Sequence, residues 1–199
     1  MRVLALVCTL KPSPARSSSD LIARQLLDQF AERKVTGEVV RVVDHDVRPG
    51  VEADMGEGDQ WPDIRRKVHD ADILLITTPT WVGHPSSVAQ RVLERLDAEL
   101  SETDDEGRPG LFGKVAVAAV VGNEDGAHKI IADLFQALND TGFSIPAQGA
   151  TYWNGEAMQG GDYQDLDETP EPVASTNATL VRNAVHLAEV LSRAQYPAS

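Results

Sequence analysis

Cysteine occurs once, at Cys8, so the chain can form no internal disulfide and cannot build an iron–sulfur or cysteine-rich zinc site. A lone thiol fits a reducing cytoplasm. Cations are scarce: 18 Lys and Arg against 31 Asp and Glu leave a net charge of −13, which repels nucleic acid and anionic membranes. No stretch approaches the roughly 18 consecutive apolar residues of a membrane helix. The run from Val3 to Leu10 closes at Lys11 with no small-residue cleavage site after it, so it is expected to be a strand rather than a leader. The glycine fingerprints G-x-G-x-x-G and G-x-x-x-x-G-K-[ST] are both missing, which excludes the usual dinucleotide and NTP loops. There is no G-x-S-x-G elbow, and His45, His69, His84, His128 and His186 show no H-E-x-x-H or other ligand spacing. These absences assign no catalytic side chain and no metal site.

What is present is a chain of 199 residues, 42% hydrophobic, enough for one domain over 1–199 with a sizeable core. Val3 to Val7 reads as a first strand buried on both faces. A long polar loop from Thr9 to Ser19 leads into a helix capped by Ser19 or Asp20, with Ile22, Leu26 and Phe30 on one stripe. Val39 to Val43 forms a second strand, and residues 44–63, broken by Pro and Gly, a loop. A short helix over Ile64–Ala71 precedes a third strand at Asp72–Thr77. The next helix starts near Pro85, carries Val88, Val92 and Leu96 in one row, and ends about Leu100. Val115 to Val121 is the fourth strand, followed by a helix that Gly142 closes. Phe143–Tyr152, interrupted by Pro146, is a fifth, edge strand. The acidic, Gly-containing stretch 153–172 is either a lid or partner surface or a mobile excursion, and a last helix runs from about Val173 to Ala194. Alternation of strand and helix predicts a doubly wound five-stranded parallel sheet, an α/β fold; if its strand order is 2-1-3-4-5, the chain reverses direction between the first and third strands.

Ligands of such sheets bind past the carboxyl ends of the strands, at the crevice where the chain reverses direction. Three loops meet there. Residues 9–19 offer hydroxyls and a helix N-terminus, which suits a phosphate, although a serine that merely caps the helix explains the same residues. Residues 78–87 contain Pro79, Trp81, Gly83 and Pro85, which stiffen the loop, provide a ring face and allow close backbone approach. Gly122 to Gly126 is polar and bounded by glycine.

The serine loop, Pro79–Gly83 with Pro85, Arg91–Asp97 on the following helix and Gly113-Lys114 before the fourth strand together resemble the flavodoxin-like NAD(P)H-dependent FMN reductases and quinone reductases of the WrbA type. That resemblance covers most of residues 1–145. It implies that Thr9, Ser17, Ser18 and Ser19 hold the FMN phosphate, with Lys11 or Arg16 as further candidates from a first loop longer than usual. It also implies that Pro79, Thr80, Trp81, Val82 and Gly83 border the isoalloxazine and that Gly122, Asn123 and Gly126 bound its far side. Trp81 either stacks on the ring or anchors its own loop. The activity implied is hydride transfer from NAD(P)H through FMN to a quinone, flavin or similar acceptor, and a homo-oligomer is compatible with it. An acidic flavodoxin-type electron carrier is the alternative.

Overall fold

The computed structural model describes residues 1–156 and 160–197. Strands β1 (Arg2–Val7), β2 (Thr36–Arg41), β3 (Ile73–Trp81), β5 (Val115–Gly122) and β6 (Ala150–Asn154) form a parallel sheet in the order β2-β1-β3-β5-β6, and a two-residue strand β4 (His84–Pro85) pairs antiparallel with the end of β3. Five parallel strands in the expected flavodoxin-like order are therefore present, with β4 as an addition. Successive side chains of a strand face opposite sides, and the apolar runs serve both. Leu4, Leu6, Leu74, Ile76, Ala116 and Ala118 pack beneath α2 (Trp61–Asp70), α3 (Ser87–Leu96) and α4 (Ala127–Asp140). Val3, Ala5, Ile73, Leu75, Val115 and Val117 pack against α1 (Ser18–Glu32) and α5 (Glu171–Arg193). Among the described residues, no helix is long and apolar enough to cross a membrane.

Several boundaries move, each for a reason outside the local pattern. β2 pairs with β1 from Arg2↔Thr36 to Val7↔Arg41, so past Arg41 it has no partner and turns into a single 3-10 turn at Val42–Asp44. β3 runs beyond Thr77 because Thr78 and Pro79 continue to pair with Val120 and Val121. Pro85 lies in β4 rather than in the first turn of α3, which Ser86 caps by accepting the Ala89 N–H at 3.1 Å. α1 is capped by Ser17, not Ser19 or Asp20; Ser19 is buried, and the Asp20 carboxylate is occupied by Arg24 and Arg41. β6 starts only at Ala150, since Pro146 and the turn up to Gly149 leave Ser144 as an isolated bridge to Val115. Gly142 does follow α4 at φ +111°.

The stretch 44–63 is held by a side chain from far along the chain. Arg95, fully buried on α3, donates to the carbonyls of Arg48 and Glu52, pairs with Asp59 at 2.8 Å and lies 5.6 Å from the Trp61 ring. Asp59 also accepts the N–H groups of Arg48, Met55 and Trp61. Burial by itself would raise the Asp59 pKa, but these donors hold it far below the usual carboxylate range.

Candidate functional site

Past the carboxyl end of β1 the first loop is supported from β2. Arg41 donates to the carbonyls of Lys11 and Ala15, and Asp44 accepts both the backbone N–H and the hydroxyl of Ser13. This scaffold presents the α1 N-terminus, whose first N–H groups have no acceptor within the helix. The Ser17 hydroxyl already takes the Asp20 N–H at 3.3 Å, and Thr9 Oγ1 takes that of Lys11 at 3.3 Å. Arg16, a candidate phosphate partner, points elsewhere: it pairs with Asp165 and donates to the Gln164 carbonyl.

The second loop is a hairpin. Thr80 pairs with Pro85 and Trp81 with His84, leaving Val82 and Gly83 as its two central residues at φ +52° and +71°. Positive φ at both positions marks a type I′ turn, a geometry that favours Asn-Gly. A β-branched residue there costs about 1–2 kcal/mol. At its base, Thr78 Oγ1 accepts the Ser86 N–H at 3.0 Å, and the Ser86 hydroxyl donates to the Cys8 carbonyl at 2.5 Å, tying the hairpin to β1.

The third loop leans on the second. A Cβ on Gly126 would lie 2.8 Å from Gly83 Cα, and one on Gly122 would lie 2.7 Å from Thr80 Cβ, so glycine is required at both contacts. Glu124 Oε1 accepts the Val82 N–H at 2.8 Å.

A fourth element closes the crevice. The segment 160–170 folds back as a strap: the Gln164 N–H donates to the Ser18 hydroxyl, Tyr163 donates to Gln25, and Gln25 donates to Thr169. Tyr163 is buried, its ring 5.7 Å from Trp153, and burial pushes its phenol pKa up. This stretch is thus a packed wall rather than a loose excursion. Residues 157–159 of the acidic stretch lie outside the described residues.

The crevice between these loops is lined by Thr9, Ser17, Ser18, Ser19, Pro79, Thr80, Trp81, Gly122 and Asn123 of the expected set. Val82, Gly83 and Gly126 do not line it. Val82 is the exposed tip of the hairpin, and the two glycines are consumed in the contact between loops. Lys11, which the first loop offered as a phosphate partner, lies on the wall; Leu10, Val121, Trp153, Asp162 and Tyr163 join it unforeseen. Trp153 stood just past a weak edge strand, and Asp162 and Tyr163 in a stretch without periodicity, so no local pattern marked them. His84 is exposed, His128 bonds Tyr152, and neither borders the crevice. Among the described residues no cluster of His, Cys, Asp or Glu could hold a metal.

The lining suits a flat phosphorylated aromatic. A helix N-terminus lies at one end, and two indoles, Trp81 and Trp153, stand on the walls. The Thr80 hydroxyl is buried beside this lining without a partner in the protein.

The NADPH-dependent FMN reductase profile matches residues 1–158. The chain belongs to that family. The description of that family, NADPH-dependent FMN reductase, agrees with the expected class of FMN-dependent oxidoreductase. Asp162 and Tyr163 lie beyond the matched residues. The 8-demethyl-8-aminoriboflavin-5′-phosphate synthase of Streptomyces davaonensis is 31% identical over 208 residues, covering 98% of this chain and 80% of the relative. A divalent metal cation transporter, MntH of Mycobacterium bovis, is 35% identical over 198 residues; the match takes in 96% of this chain but only 29% of that protein's length. Among solved structures, RosB with bound 8-demethyl-8-formylriboflavin-5′-phosphate superposes with a TM-score of 0.89 at 31% identity, covering 98% of this chain and 82% of RosB. FerB, an NAD(P)H:acceptor oxidoreductase of Paracoccus denitrificans, shares the fold at a TM-score of 0.60 and 18% identity, covering 98% and 99% of the two chains.

Proposed function

We propose that residues 1–199 act as one FMN-binding unit that passes hydride from NAD(P)H to a quinone, flavin or similar small acceptor, in the cytoplasm. The observation that carries this reading is the single crevice that joins a helix N-terminus to an indole-walled slot containing an unpartnered buried hydroxyl, Thr80. The α1 N-terminus, with Ser18 and Ser19, receives the phosphate, and the Pro79–Trp81 backbone and Asn123 border the ring. When bound, FMN supplies the hydride chemistry; the residues around it supply position, electrostatics and access. Denaturing the purified protein should release one FMN per chain, and anaerobic NADH or NADPH should bleach the bound flavin fast enough to support quinone turnover. Protein that takes up no FMN on reconstitution, or flavin that stays oxidised under both nicotinamides, defeats the proposal.

A second reading takes FMN as substrate. It is favoured by the 31% identity, over nearly the whole chain, to the 8-demethyl-8-aminoriboflavin-5′-phosphate synthase. Mass spectrometry of flavin recovered after aerobic incubation with candidate amino donors decides between them: unchanged FMN supports the reductase, and a product altered at the 8-position supports the second reading.

A further inference from the structure

The mechanical centre of the crevice is the contact between its second and third loops. Val82 holds a left-handed backbone conformation that β-branched residues avoid, and its side chain is 87% exposed, so no packing of that side chain keeps it there. What the turn does have is one charged acceptor: Glu124, half-buried in the loop after β5, takes the Val82 N–H at 2.8 Å. Beside it the Gly83 and Gly126 backbones approach so closely that a Cβ on Gly126 would lie 2.8 Å from Gly83 Cα. Trp81, the residue before Val82, lines the crevice and is 51% exposed.

We propose that Glu124 is a positioning residue: its carboxylate holds the strained Val82–Gly83 turn and thereby sets Trp81 on the crevice wall. The inference deepens the flavin-site reading and rests on it for the ligand, but the clamp itself is a property of the protein without ligand. A carboxylate that accepts a backbone N–H is a strong partner, and its loss releases a backbone conformation that valine does not favour. Glycine at position 82 would adopt the same φ freely, so it should make the clamp dispensable.

The test uses the full chain in four forms: wild type, Glu124→Ala, Glu124→Gln and the double variant Glu124→Ala with Val82→Gly. In the flavin-free protein, hydrogen exchange at the Val82 amide and hydroxyl-radical labelling of Trp81 should both rise several-fold in Glu124→Ala, stay near wild type in Glu124→Gln, whose amide oxygen still accepts, and for Trp81 return toward wild type in the double variant. FMN dissociation constants should follow the same order, with about a tenfold rise in Glu124→Ala. Unchanged exchange and labelling in Glu124→Ala overturn the clamp. Altered exchange with unchanged Trp81 labelling and unchanged FMN affinity reduces Glu124 to a structural residue and also overturns the proposal. Wild-type protein that binds no FMN yet shows the exchange and labelling pattern supports the clamp and counts against the flavin reading instead.

Discussion

Thr80 separates a binding role from a packing role at the scale of one residue. Its hydroxyl is buried and unpartnered, so in the free protein it carries a desolvation cost that a ligand hydrogen bond would remove. Thr80→Val keeps the shape and deletes the polar atom. The variant should be as stable as wild type or up to about 1 kcal/mol more stable in urea, while binding FMN about five- to tenfold more weakly. Equal FMN affinity in the two proteins would mean that Thr80 touches no ligand. Cys8, just past the end of β1, offers no comparable chemistry, because burial drives its thiol pKa far up and leaves it protonated.

At the scale of elements, α3 does two jobs. Its N-terminus anchors the hairpin through Ser86, and its C-terminal turn holds the 44–63 segment through Arg95. Replacing Arg95 with Met leaves Asp59 buried beside an apolar neighbour and strips two carbonyls of their donor. Denaturant titration should show a loss of about 3–5 kcal/mol, the usual result of removing one partner from a buried pair. A loss below about 1 kcal/mol would mean that the Asp59 backbone bonds alone hold the segment. The strap shows the same principle at the crevice: a stretch without hydrophobic periodicity is ordered because Ser18, Gln25 and Arg16 on the first loop and helix supply its partners.

For the whole molecule, acid is the revealing perturbation. Burial alone would raise the Glu99 pKa, yet His69 at 2.8 Å and Arg65 at 2.5 Å hold it below the ordinary value, as the donors around Asp59 do for that group. A carboxyl whose folded pKa is depressed adds stability that is fully present above its unfolded pKa and lost as pH falls toward the folded value. Unfolding midpoints should therefore be level near neutrality and drop progressively below about pH 4.5. Glu99→Gln should flatten part of that drop, and a midpoint constant between about pH 6 and pH 3 would contradict the assignment. Lys114, whose ammonium binds the carbonyls of His69 and Ala71, is desolvated and its pKa is lowered, so its contribution does not change in this acid range.

The order of strands and helices was legible because each apolar run or stripe is a local pattern, and so were the serine-rich entry to α1 and the Pro79–Trp81 wall. The parallel sheet followed from the alternation of these elements, and the family resemblance lay in residues that stand close together in sequence. Which residues actually line the crevice was settled only in three dimensions. Val82 and Glu124 are 42 residues apart, Arg95 and Glu52 are 43 apart, and Arg16 and Gln164 are 148 apart. No periodicity records such pairs: a polar loop residue looks the same whether it faces solvent or a distant backbone group. Tertiary packing alone brought the Gly83 and Gly126 backbones together as the joint between two loops, and gave Asp162 and Tyr163 a place on the wall.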